Sequence, residues 1–527
     1  ILTISALHKL VKQDEATPSV ISLMQDLEQS IQQPYQEFQT ENCLEMRMML
    51  AEWVRLCQHP MASDGLFNSV VQRVLQLTQK DENVRCFFFR LSTETCVDHY
   101  LAFRSMNSTL HHRRMIHLID SFTRLICAMI MAEKNNKIKM LNDALSVMIL
   151  VLSDHHQKRG VAFNQKPFLR LLSSLFNEIS KLRNASLESC LVTYSDALYT
   201  LQPNHFPGFA FSWLQLISHR SFLPQLLVAS DHHGALLCQK LIHSLLKFLG
   251  PLLKSGQVLP NAIKIFYRGT LRVLVVLLHD FPEFLCQNYL SFSQAIPPTC
   301  VQLRNLILSA FPRTMHLPDP FTPDLKLDQL PESSELPQFD QSQLSVLDQG
   351  GLKQSMEVFA KDKNTDVFYK VLEDHVHKLK DAGEGSEDLL SAFVLNMGML
   401  AADDDKDINN NAAVLAYMHL LSLLESEGRY IVLSAIADHL RYPNRHTCFF
   451  HTVLLHLFNK QPEVVKEQVT RVLLERLIVN RPHPWGLLAT FIALIKDPKF
   501  WEHEFIRCSP DIERLFDNVS RSIAVRD

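Results

Sequence analysis

From about Leu44 onward, apolar residues recur every three or four positions along most of the chain, the spacing that gathers them on one face of an α-helix. The pattern breaks at His59-Pro60, Pro203 to Gly208, Ser255 to Pro260 and Phe281-Pro282, where proline and glycine stop helices. Val414, Tyr417, Met418, Leu421 and Leu424 make one such stripe, which must be buried. Another follows Pro462, a favourable first-turn residue, through Val465, Val469, Val472, Leu473 and Leu477. Glu467, Arg471 and Glu475, four apart, form its solvated face. Leu141 to Leu152, Leu241 to Leu253 and Ile263 to Leu278 are apolar nearly all round, which predicts helices sandwiched between neighbours on several sides.

No strand-like alternation competes with these stripes, so the predicted fold class is all-α. One core rarely grows beyond about 250 to 300 residues. A chain of 527 residues therefore favours a solenoid of helical hairpins over a single bundle, and with no fixed-period consensus the repeats are irregular and HEAT-like. Residues 1–40 read as a leader helix and linker. Residues 41–311 form one expected stack and 351–527 a second. Between them, residues 312–350 are an extended connector, because Pro312, Pro318, Pro320, Pro323, Pro331 and Pro337 forbid continuous helix. Phe311, Leu317, Phe321, Leu325, Leu327 and Leu330 alternate with those prolines and favour laying the connector against a folded surface.

Composition agrees with helices. Only 14 glycines occur, too few for the hairpins of an all-β fold or the phosphate loops of nucleotide-binding folds. A net charge of −4 shows no strongly basic face for nucleic acid. The 11 cysteines are scattered with no CxxC pair and read as reduced, mostly buried thiols of an intracellular protein. The strongest apolar runs, Leu274 to Leu278 and Leu125 to Ala132, are shorter than a membrane span, and no membrane association is expected.

The sequence motifs of catalysis are absent or broken. No GxGxxG, GxxxxGK[ST] or GxSxG string occurs, and His503-Glu504 is followed by Arg507 where a zincin needs its second histidine. Asp403 to Asp407 begins like a calcium loop, yet Ile408 replaces its glycine and Val414 its glutamate. The run is read as a loop with Asn409 to Asn411 as helix caps. The doublets His111-His112, His155-His156 and His232-His233 point about 100° apart on a helix, unlike a chelating i, i+4 pair, and read as helix-end histidines. Asn107 and Asn184 match a glycosylation string common by chance, and His111 to Arg114 reads as a solvated helix surface. No catalytic, metal or cofactor residue is predicted.

Five strings are distinctive: FSWLQLISHRSFLP at Phe211 to Pro224, LLHDFPEFL at Leu277 to Leu285, LRNLILSAFPRTMHLPDPFTPDL at Leu303 to Leu325, LRYPNRHTCFF at Leu440 to Phe450, and NRPHPWGLLATFIALIKDPKFW at Asn480 to Trp501. Together they resemble the C-terminal homology domain of the scaffold subunit of the CCR-NOT deadenylase complex. The resemblance implies a non-catalytic scaffold that docks a heterodimer of two Not-box subunits, whose extended segments run over its surface. It also implies binding of peptide motifs from RNA-binding repressors such as Nanos-like proteins. The expected roles are messenger-RNA deadenylation, decay and translational repression, in the cytoplasm, including mRNA-processing bodies, and in the nucleus. A helical-repeat domain with weak direct RNA contact is the alternative.

The resemblance carries no residue-level binding signature. From the residues themselves, Pro482, Pro484 and Trp485 sit at a loop-to-helix junction where an aromatic can be exposed to a partner, and Phe321 and Leu325 of the connector can share a groove with one. The competing expectation is that Trp485 and Phe321 pack internally.

Overall fold

The computed structural model describes residues 43–507 except for 80, 104–108, 134–135, 183–184, 229–231, 255–258, 323–324, 338, 341, 364, 383–385 and 403–406. The expected leader helix, Asn107, Asn184 and Asp403 to Lys406 lie outside the described residues, as do the side chains of His111 to Arg114. Among the described residues the regular structure is all helix.

Up to Pro282 the helices are α1 (Cys43–Gln58), α2 (Asp64–Thr78), α3 (Glu82–Phe103), α4 (Thr109–Ala132), α5 (Lys137–Arg159), α6 (Lys166–Ile179), α7 (Ala185–Thr200), α8 (Ala210–Ile217), α9 (Phe222–Val228), α10 (His232–Leu253) and α11 (Asn261–Asp280). Then come α12 (Pro282–Gln294), α13 (Val301–Leu308), α14 (Leu352–Asp362), α15 (Thr365–Ala382), α16 (Ser386–Ala401), α17 (Ala412–Leu423), α18 (Ser426–Ala437), α19 (Arg445–Lys460), α20 (Glu463–Leu477), α21 (Trp485–Lys496) and α22 (Glu504–Arg507). The breaks at His59-Pro60 and Pro203 to Gly208 fall between helices, and Phe281 separates α11 from α12, whose first residue is Pro282. Among its described residues the connector carries 3-10 turns alone, at Leu327–Gln329, Pro331–Ser334 and Ser342–Gly351.

The contacts divide the chain at Leu245 and Leu246, inside α10, and not at the proline-rich connector. In the first unit the main packing is of a helix on the next but one, α3 on α5, α4 on α6 and α5 on α7, with several sequential neighbours also in contact. Polar side chains lock these neighbours. Arg85 pairs with the buried Asp143 at 2.5 Å across α3 and α5, and Trp53 Nε1 donates to the Ser121 carbonyl at 2.7 Å across α1 and α4. Of the histidine doublet at the end of α5, His155 meets Phe168 edge-on and His156 Nε2 accepts the Gly208 amide at 3.2 Å, the helix-end role expected of it.

The second unit repeats the next-but-one packing in α16, α18 and α20. The two predicted stripes are buried there: Val414, Tyr417, Leu421 and Leu424 of the α17 segment, with Met418 partly so, and all five apolar positions of α20. Asn411 caps α17, its side-chain oxygen accepting the amides of Ala413 and Val414, so one predicted cap residue serves as a cap. Arg471 meets Glu475 at 2.7 Å on the outer face of α20.

Three apolar segments were expected to be sandwiched, and they differ. Leu141 to Leu152 is buried on almost every side. By length and composition His233–Leu253 is apolar enough to cross a membrane, but Leu241, Ile242, Leu245, Leu246 and Leu249 are core residues while Lys240 and Lys247 face outward. Ile263 to Leu278 departs from expectation: α11 packs on α12 and α13, and by Phe266 on Phe248 of α10, yet leaves Ile265 60%, Val275 48% and Val276 47% exposed.

Candidate interaction surface

The connector ends its path on the helices of the second unit because its apolar residues and carbonyls find fixed partners there. The RPHPW junction enters α21 through a cis Arg481-Pro482 bond, a geometry that proline alone adopts readily. Pro484 and Trp485 are buried, Trp485 being only 6% exposed. The indole Nε1 donates to the Pro318 carbonyl of the connector at 2.6 Å, and the ring packs with Leu327 and Ala489, flanked by Leu317, Leu325, Leu330 and Cys448.

The five residues predicted to meet partners are thus divided. Phe321, 39% exposed, is the one that stands open. Leu325 and Pro482 are partly covered. Trp485 is not the exposed aromatic that a loop-to-helix junction can display: the connector of the same chain covers it. The structure brings Leu325 and Trp485, 160 positions apart, into one cluster, so the two predicted segments are a single feature.

Further bonds hold the connector along its length. The Arg313 amide donates to Glu283 Oε1 at 2.9 Å, the Arg445 amide to the Glu335 carbonyl at 2.9 Å, and the Asp340 amide to the Gln287 carbonyl at 3.1 Å. Gly486, next to Trp485, gives its amide to the Arg441 carbonyl at 2.5 Å. A Cβ there would stand 2.8 Å from that oxygen and 2.5 Å from Thr447 Cγ2, so only glycine allows this approach. Between the limbs of the connector, Glu283, Met315, Leu336 and Tyr442 line a cleft of about 270 Å³.

Beneath lies a buried polar core that local sequence patterns did not reveal. Asp438, at the end of α18, is held by Arg304 of α13 and, at 2.8 Å, by Arg476 of α20. Arg304 Nη2 also donates to the carbonyls of Ser293 and Ile296, Arg476 Nη2 to Ser434, and Asn305 Nδ2 to the Arg476 carbonyl. A third buried cation, Arg441, lies 3.8 Å over the Tyr289 ring and donates to the Cys286 carbonyl. The bonds of Arg304 to Asp438, Asn305 to Arg476 and Arg441 to Cys286 join parts of the chain on opposite sides of the connector in sequence.

The surrounding titratable groups are held neutral. Burial, with Arg441 and Arg445 nearby, lowers His446 to about 4. Burial lowers His451 to about 4 and, with His446 and Arg441, holds His439 well below its ordinary value. Burial pushes Cys286 and Cys300 up to about 11 and Cys448 to about 12, so these thiols stay protonated and weakly nucleophilic. No group of three metal-ligating side chains occurs among the described residues. His503 is spent on Glu463, with Nδ1 to Oε2 at 2.9 Å. These side chains fix the positions of helices and of the strap laid over them, which suits a surface that holds partners.

Residues 172–520 match the family described as CCR4-Not complex component, Not1. The CCR4-NOT transcription complex subunit let-711 of Caenorhabditis elegans is 37% identical over 92% of the chain, and the general negative regulator of transcription subunit 1 of Schizosaccharomyces pombe 32% over 90%. The chain spans 20% and 23% of those relatives' lengths, about a fifth. Among solved structures, the NOT1 superfamily homology domain from Chaetomium thermophilum superposes with a TM-score of 0.82 at 27% identity, covering 91% of this chain and 99% of that one. A Not1 C-terminal domain in complex with Not4 superposes with 0.77 at 27% identity, covering 88% and 98%.

Proposed function

The chain belongs to the Not1 family of CCR4-Not complex components, and on that premise we propose that it is the non-catalytic, partner-holding part of a CCR4-Not scaffold subunit. The observation that carries the reading is the connector. A segment with six prolines, which isolated would be a flexible tether, is fastened to folded helices by Trp485, Arg445 and Gln287, and so becomes part of a fixed surface. The related C-terminal domain was solved in complex with Not4, which supports subunit docking as the use of such a surface.

Its principal ligand is the heterodimer of two Not-box subunits, laid as extended segments over the helices. Peptide motifs of repressors resembling Nanos are a second class. Through these contacts the chain supports deadenylation and translational repression without performing either reaction, in nucleus and cytoplasm. The test is a sizing column: the chain and the purified heterodimer, mixed at micromolar concentration, elute together. Separate elution contradicts the proposal.

A further inference from the structure

The negative charge of the chain is concentrated in the connector. Residues 312–350 hold seven carboxylates, from Asp319 to Asp348, against Arg313 and Lys326, a net charge of −5. The whole chain carries −4, so all the rest together carries +1. Asp319, Asp328, Glu332 and Glu335 form no ion pair among the described residues, and Asp319, Asp328 and Glu335 are exposed. Because the strap is fastened to the helices, this charge is held at fixed positions.

The cleft between the limbs of the connector lies within that field. Met315, Leu336, Pro337 and Tyr442 give it apolar walls, and Glu283 and Glu335 supply carboxylates. Its volume of about 270 Å³ falls below the roughly 300–1,000 Å³ of small-molecule sites, which suits one long side chain. Glu283 lies 3.9 Å from Arg313 Nε, with both side chains about half exposed, a pair too weak to occupy it. The Glu335 carboxylate is free, while the Glu335 carbonyl, bonded to the Arg445 amide, anchors this limb. Leu336 follows in an extended stretch and is 66% exposed. Its amide and carbonyl bond to nothing among the described residues, so an extended chain can pair with them.

We propose that this cleft is the docking site of an arginine borne on an extended, basic segment of another polypeptide. The methylene stem of the arginine lies against Met315, Leu336 and Pro337, and its guanidinium meets Glu335 and Glu283. The segment's backbone runs beside Leu336 and pairs with its free amide. Apolar walls that end in carboxylates fit this side chain. A leucine leaves Glu335 unused, and an aspartate or a phosphate is repelled by it. The net charge of the strap selects a basic segment in the same way and opposes RNA on this face. The site rests on the scaffold reading and adds to it a location and a ligand chemistry.

The test pans a phage-displayed library of random 12-residue peptides on the full chain. Enriched peptides should carry net positive charge and an arginine whose replacement by citrulline, of the same shape without the charge, costs about tenfold in affinity. Glu335→Lys reverses an exposed carboxylate and Leu336→Ser removes an exposed apolar wall, so both variants should melt like the wild type, and each should cost a similar factor. Added salt should weaken binding to the wild type more than to Glu335→Lys. No enrichment, enrichment of acidic or uncharged peptides, indifference to citrulline, or equal affinity for the wild type and the variants overturns the proposal. So does a wild-type dimer, seen by light scattering, that Glu335→Lys dissociates, which makes the occupant a second copy of this chain. The Not-box heterodimer is run on the same preparations: its failure to bind wild type overturns the scaffold reading, whereas its binding with no basic-peptide site overturns only this proposal.

Discussion

In the first unit, long-range polar bonds join helices that are already neighbours in the stacking order: Arg85 to Asp143 is 58 positions apart, Arg170 to Asp120 50, Trp53 to Ser121 68. In the second unit the corresponding separations are 134 for Arg304 to Asp438, 167 for Trp485 to Pro318 and 171 for Asn305 to Arg476. The first arrangement is a stack that grows along the chain. The second fastens an earlier part of the chain, and the strap that leaves it, onto a later part, and its buried charges make that closure specific. A stack tolerates loss of one tie, while the closure depends on a few.

The largest contrast should come from the carboxylates. Asp438→Ala leaves Arg304 and Arg476 buried without their anion and should cost about 3–5 kcal/mol, read as a fall in the urea midpoint of the second unit. Asp120→Ala in the first unit breaks the half-exposed pair with Arg170 and should cost about 1 kcal/mol or less. Equal losses would erase the distinction between stack and closure. Gly486→Ala comes next, at about 1–3 kcal/mol, because the new methyl cannot fit between Arg441 and Thr447. Full thermal stability in that variant would mean the close approach is dispensable.

Acid should act in the same direction. His446 falls from 6.5 unfolded to about 4 folded, so the folded state excludes a proton that the unfolded chain accepts. The stability held above pH 6.5 is lost as pH drops toward 4, about 2 kcal/mol from this histidine by pH 5. His446→Phe should flatten the fall between pH 7 and pH 5; an unchanged slope would remove His446 as its source. The smallest effect is Trp485→Phe, which deletes the bond to Pro318 at about 1 kcal/mol but should hasten proteolysis within the connector. The matched Trp213→Phe in the first unit, which deletes a bond to the Leu198 carbonyl, should leave connector cleavage unchanged.

In both units the helices, their breaks and the Asn411 cap were largely legible in the sequence because they are local. Residues a turn apart decide them, and the α20 stripe emerged in its predicted place. The closure was not legible. Periodicity around Arg476 shows a helix with a solvated charged face, and nothing local distinguishes the buried Arg476 from the exposed Arg471 five residues before it. Trp485 was expected as an aromatic open to a partner, with internal packing as the competing expectation; its cover is a connector carbonyl 167 residues away, which no local pattern encodes. The apolar interleaving of the connector did signal that it lies on a surface. The division inside α10 has no local signature, because it falls in an uninterrupted helix.

The central claim is that the partner-holding surface of the second unit exists before any partner arrives. Amide hydrogen exchange on the chain alone and with the Not-box heterodimer tests this directly. The amides of Arg445 and Gly486, which donate to the connector carbonyl of Glu335 and to Arg441, should exchange slowly in the free chain and gain little further protection on binding. Rapid exchange of both in the free chain, slowed only when the heterodimer is added, would contradict the account.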